Sequence, residues 1–74
     1  MNKIQLQSLV TGKVWKIEKN IGDAVITGES VLIVESMKME IPLETTVDGT
    51  LVRVLVAEGD MVEEGQILAV VTAN

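Results

Sequence analysis

One lysine in this 74-residue chain stands apart by its setting. Lys38 lies at the centre of Glu35-Ser36-Met37-Lys38-Met39-Glu40, with Val31-Leu32-Ile33-Val34 before it and Ile41-Pro42-Leu43 after it. Both flanks carry the β-branched and aliphatic residues that favour strands. The gap between them admits only a tight connection, so the two strands must form a hairpin with Lys38 at its tip. Two-residue hairpin turns need positive φ and favour Asn-Gly, Asp-Gly or Gly-rich pairs, yet the central pair here is Met37-Lys38. Local rules tend to break at functional or strained sites, which makes Lys38 a candidate for chemistry. A solvated primary amine is protonated near neutral pH, and a Schiff-base enzyme lowers its pKa by burial or a nearby cation. Glu35 and Glu40 offer neither, and their carboxylates favour the charged amine. The pattern suits an amine that another enzyme deprotonates and modifies, held on a turn that cannot retract into the core.

Composition narrows the alternatives. The chain has no cysteine and no histidine, which removes disulfides, thiolate metal sites, most zinc chemistry and every His-dependent triad. A net charge of −5 argues against a phosphate backbone as partner, since that needs clustered Lys and Arg. The same acidity could steer the molecule towards basic clefts on other proteins, or only keep a small apolar domain soluble. Neither Gly-x-Gly-x-x-Gly nor the Walker pattern is present, so the glycines read as turns. Glu63-Glu64 precedes Gly65 in a turn and has no partner groups for acid-base work, while Lys3, Lys13, Lys16 and Lys19 read as surface charges. With no eighteen-residue apolar run and no signal-peptide pattern at the start, a soluble cytoplasmic protein away from membranes is expected. Residues 1–74 suffice for one domain, whose size leaves little room to enclose a substrate.

An offset of 37 residues, half the chain, aligns the two halves without a gap. Ile4-Gln5-Leu6 falls on Ile41-Pro42-Leu43, Gly12 on Gly49, Gly22-Asp23 on Gly59-Asp60, Val25 on Val62, Gly28 on Gly65, and Ile33-Val34 on Val70-Val71. The unit is duplicated, 1–37 and 38–74, with Met37-Lys38 at the seam. Each copy reads as four short strands: Ile4–Leu9, Gly12–Ile17, Ala24–Ile26 and Ser30–Glu35, then Ile41–Thr46, Thr50–Val56, Met61–Val62 and Gln66–Thr72. Asp48-Gly49 and Thr11-Gly12 read as turn signals. Alternation puts Trp15 and Ile17 on one face and Val52, Val54 and Val56 on the corresponding one, with Lys16 and Arg53 opposite. Trp15, the lone aromatic, is expected in the core or at its rim rather than as a stacking platform. Pro42 cannot donate to a ladder and belongs at a sheet edge. Neither copy can cover its own apolar face, so the halves should fold as one all-β body about an approximate two-fold axis.

Glu-Ser-Met-Lys-Met-Glu at the centre of a duplicated eight-strand domain closely resembles the attachment motif of the biotinyl domain family, the biotin carboxyl carrier proteins. Related lipoyl domains share the fold and the position of the lysine, and the resemblance covers essentially the whole chain. It implies a flattened barrel-sandwich of two four-stranded antiparallel sheets. It implies covalent biotin on Lys38, placed there by a biotin protein ligase through biotinyl-adenylate. It further implies partners in a biotin carboxylase and a carboxyltransferase, between which the domain carries a carboxyl group with no enzymatic activity of its own. Met37 and Met39 match the flanks that biotin ligases recognise, whereas lipoyl domains typically carry Asp-Lys-Ala. Glu35 is acidic in both families, and Glu40, like Glu35, is either a ligase contact or a solvated charge that discourages edge pairing. Lipoate is the alternative cofactor, and an unmodified β interaction module is the alternative of another class. The gapless repeat leaves no room for the thumb loop that some bacterial carriers insert. A free-standing carrier, monomeric in isolation, is the expectation.

Overall fold

Turn residues and apolar runs divide the chain into eight strands in a computed structural model that describes residues 2–74; Met1, the first position of the assigned domain, lies outside them. They are β1 (Lys3–Gln7), β2 (Gly12–Ile17), β3 (Ala24–Val25), β4 (Ser30–Ser36), β5 (Met39–Glu44), β6 (Gly49–Val54), β7 (Met61–Val62) and β8 (Ile67–Ala73). The last three strands of the second half repeat those of the first at a spacing of 37 residues. The strands form two antiparallel four-stranded sheets, ordered β1-β8-β6-β3 and β5-β4-β2-β7. Exchanging the halves turns one order into the other, which is the expected quasi-two-fold. Each sheet draws strands from both halves, so the halves interlock and neither carries a complete sheet.

The core between the sheets is aliphatic. Leu32, Leu51, Leu68, Val31 and Val71 are fully buried, with Val14, Val25, Val34, Leu43 and Val62 beside them. At about 25 cal/mol per Å² of apolar surface removed from water, these side chains supply the main driving force for folding. Ser8 and Thr45 are buried polar positions related by the repeat, and each hydroxyl donates to a carbonyl two residues on, Val10 O and Val47 O. A polar group can be buried at little cost when it is so bonded.

Strand interiors match the expectation and several ends differ. Leu9, Ile26, Thr46 and Val56 lie beyond the ends of their strands, and β5 starts earlier, at Met39. The expected shared face of Trp15 and Ile17 is overturned. The β2–β4 register shifts between Val14 and Lys16, and the β6–β8 register shifts between Leu51 and Arg53. Each shift is a bulge that inserts one residue and reverses the alternation. Val14 and Leu51 therefore take the core positions, and Trp15 is left 50% exposed on the outside of its sheet. Val52 is half-buried at the matching bulge, while Ile17, Val54 and Val56 pack partly against the core.

Gly12 and Gly49 also differ from their reading as turn residues. They open β2 and β6, and neither has a positive φ. A Cβ on Gly12 would collide with the Glu35 carbonyl oxygen, and one on Gly49 with that of Thr72. Close approach between strands, rather than turn geometry, requires glycine at both. Pro42 lies on β5, an edge strand, where its missing N–H faces no ladder partner.

Candidate functional site

Among the described residues, β4 and β5 are the sole consecutive strands that pair with each other; every other connection crosses between the sheets. Lys38 thus sits on the one hairpin of the fold. The ladder runs from Leu32↔Leu43 through Glu35↔Glu40 to a last rung at Ser36↔Met39, leaving Met37 and Lys38 as a two-residue loop. Both have positive φ, 51° and 66°, and among the described residues they are the two non-glycine residues in that region. A primed hairpin turn demands this of its central pair. An L-residue pays about 1–2 kcal/mol for it, and Asn or Gly would adopt it more readily.

The tip projects from the body. Met37 is 93% exposed, Met39 62%, and Lys38 is exposed between them. Lys38 Nζ has no hydrogen-bond or ion-pair partner among the described residues; the one ion pair, Lys19 Nζ to Glu29 Oε2 at 3.2 Å, lies elsewhere. Glu35 and Glu40 are direct cross-strand neighbours, both exposed. Like charges so placed destabilise a sheet, so this pair opposes the hairpin rather than supporting it. Lys13 stands opposite Glu35 on the other side, and Met61 opposite Lys13. Trp15, Glu35, Glu58 and Lys13 border a shallow concavity on this outer face.

Beside the β2–β4 ladder, one side-chain bond ties the hairpin to Thr11 and a second anchors Thr11 itself, and sequence reasoning missed both. Ser36 Oγ donates to the Thr11 carbonyl at 2.8 Å, and the Glu64 N–H donates to Thr11 Oγ1 at 3.1 Å. The close approach at Gly12 adds a third constraint on the same segment. The alignment of Gly12 with Gly49 marked the position, but nothing in the sequence pairs Thr11 with Ser36 or Glu64. The two-fold maps the last rung Ser36↔Met39 onto Ala73 and Asn2, where the Ala73 N–H donates to the Asn2 carbonyl at 2.8 Å.

The sequence reading of Lys38 as a presented amine agrees with this geometry. A surface concavity of about 650 Å³, an open groove between β1 and β5, is lined by Gln5, Leu6, Pro42 and Leu43 and by none of residues 35–40. Nothing encloses the amine. No group of three or more metal-ligating side chains occurs among the described residues. What the site can do is offer one nitrogen for acylation at the end of a rigid body.

Known proteins place these features in a family. The biotin/lipoyl family model, described as a biotin-requiring enzyme, matches residues 5–71. The biotin/lipoyl attachment protein of Bacillus subtilis is 42% identical over 59 residues, covering 80% of this chain and 81% of its own. The biotin carboxyl carrier protein of acetyl-CoA carboxylase from Pyropia yezoensis is 38% identical over 53 residues, 72% of this chain and 34% of that protein. Among solved structures, urea carboxylase of Kluyveromyces lactis superposes with a TM-score of 0.93 at 38% identity, covering 97% of this chain and 6% of that one. The chain therefore spans about a third of the carrier protein and a small part of the carboxylase. With its fold, its repeat and its presented lysine, this chain belongs to the biotin/lipoyl attachment domain family.

Proposed function

We propose that the chain is a biotin carboxyl carrier, modified on Lys38 and serving a biotin carboxylase and a carboxyltransferase. The observation that carries the reading is the placement of one exposed amine between two exposed methionines at the tip of the β4–β5 hairpin. The site fits the group, because an amide to biotin needs a nitrogen a ligase can reach from outside. The bond would form between Lys38 Nζ and the carboxyl carbon of a biotinyl-adenylate as AMP leaves, with the two protons lost from the ammonium passing to the ligase and to solvent. Once attached, biotin would supply a ureido nitrogen that accepts and releases a carboxyl group. The residues of this chain present and orient. Met37 and Met39 give the ligase apolar contacts, and Glu35 and Glu40 give it charges to read. The sheets provide a handle that two partner enzymes can grip, and tethering raises the effective concentration of the carried group at both active sites.

A lipoyl carrier is the second reading, favoured by the shared family and the dual name of the Bacillus relative. Intact mass after co-expression with a biotin ligase or a lipoate ligase separates the two, with Lys38→Arg as control. One biotinyl group, absent from the control, is the expected result. A lipoyl group alone moves the function to acyl transfer. No mass change with either ligase refutes the carrier reading and favours an unmodified interaction module. If the flanks decide between ligases, Met37→Asp with Met39→Ala shifts modification towards lipoate.

A further inference from the structure

The internal repeat supplies its own control. A contact needed only to close the fold should recur 37 positions away, and one found only beside Lys38 has another reason to exist. Two of the three constraints around Thr11 and Gly12 recur in the same form. The close approach of Gly12 to the Glu35 carbonyl has its counterpart at Gly49 and Thr72. Thr11 Oγ1 accepts the Glu64 N–H, and at the equivalent place Asp48 Oδ1 accepts the Thr27 N–H at 2.7 Å. The third recurs in another form: the Asp48 carbonyl, counterpart of the Thr11 carbonyl, accepts the Asn74 N–H at 3.1 Å, a main-chain donor. Ser36 Oγ donates to the Thr11 carbonyl, whereas the counterpart of Ser36 is Ala73, which has no side-chain donor. What is particular to the lysine end is that a side chain makes the tie, so one residue type, and not the backbone path, decides whether it exists.

Its position gives it a use. Ser36 ends β4 one residue before the positive-φ pair, and its rung with Met39 is the last of the ladder. Beyond that rung Met37 buries almost nothing, so packing cannot stop the loop from pivoting. A bond from Ser36 sideways to Thr11, itself tied to Glu64, braces the hairpin against the far copy of the repeat. We propose that Ser36 and Thr11 are positioning residues for the reaction at Lys38: their bond holds the hairpin at a fixed angle to the body, so that the amine reaches a modifying enzyme already oriented. This rests on the carrier reading above. Orientation is worth defending, since a displacement of about 1 Å at a reacting centre can cost on the order of 100-fold in rate.

The test is steady-state kinetics of ligase modification on the unmodified full chain, for wild type, Ser36→Ala and Ser36→Thr, with amide hydrogen exchange at residues 37–39. For Ser36→Ala, kcat/KM falls about 3- to 10-fold, the worth of one hydrogen bond. The loss appears in kcat, because the surface of Met37 and Met39 that the ligase grips is unchanged. Exchange at the tip speeds up, and Ser36→Thr restores both readouts. A rate for Ser36→Ala equal to wild type overturns the role. So does Ser36→Thr as slow as the alanine variant, or a loss confined to KM with tip exchange unchanged, which would make Ser36 a direct ligase contact. A wild-type chain that neither ligase modifies defeats the carrier reading and this role with it. A wild type that is modified alongside an equally fast Ser36→Ala defeats only the role.

Discussion

Replacing Met37-Lys38 by Asn-Gly should make the protein more stable while abolishing its modification. Both residues have positive φ, and each carries about 1–2 kcal/mol of local cost as an L-residue with a long side chain. Little offsets that cost in the folded state, because Met37 is 93% exposed. In the double variant Met37→Asn/Lys38→Gly, glycine removes its share outright and asparagine part of it. Glycine also loses about 0.5–1 kcal/mol more backbone entropy on folding, leaving a net gain of about 1–2 kcal/mol. In a domain of this size each kcal/mol moves Tm by about 4–8 °C, so a rise of roughly 5–15 °C is expected. Thermal melts followed by far-UV circular dichroism read the shift, and an unchanged urea m-value confirms that the transition is the same one. The single variant Met37→Asn keeps the lysine, gains part of the stability and is modified more slowly by a biotin ligase. A Tm at or below wild type for the double variant would refute the reasoning. The unusual turn would then carry no stored cost, and its retention would need no functional cause.

Three further outcomes follow from the packing and the electrostatics. Leu51 is fully buried at a bulge, so Leu51→Ala costs about 3–5 kcal/mol, close to the whole stability of a small domain; urea midpoints should show a largely unfolded variant. Trp15, half exposed on the outside of its sheet, should fluoresce like a solvated indole and shift little on unfolding, and a strongly blue-shifted native spectrum would place it in the core after all. The Glu29 carboxyl is held below its ordinary 4.5 by the Ile26 N–H and then by Lys19, and Asp48 below its ordinary 3.8 by the backbone N–H and hydroxyl of Thr27. Carboxyls so lowered contribute stability above their unfolded pKa values and lose it as pH falls through the folded ones. Tm should therefore decline below about pH 4.5, and Glu29→Gln with Asp48→Asn should shallow that decline; an unchanged slope would count against these bonds.

Much of the site could be read without coordinates. The 37-residue repeat, the strand interiors, the hairpin and the lysine at its tip all come from local signals: glycine and aspartate at bends, β-branched runs between them, and a turn pair that breaks turn chemistry. The placement of Trp15 did not. A bulge adds one residue to a strand and leaves no mark in composition, so alternation put Trp15 inward where pairing against β4 turns it out and gives the core to Val14. Gly12 and Gly49 were legible as glycines, but their reason, a carbonyl of another strand lying where a Cβ would be, exists only once the strands are packed.

The sequence alone determined that a lysine would stand exposed on a tight hairpin in the middle of a duplicated β domain, because hairpins and bends are decided by neighbours along the chain. Tertiary structure decided how that hairpin is held. Thr11 meets Ser36 across 25 residues and Glu64 across 53, separations over which no periodicity operates. Only the interlocking of the two halves, each lending strands to the other's sheet, brings those groups within hydrogen-bonding distance.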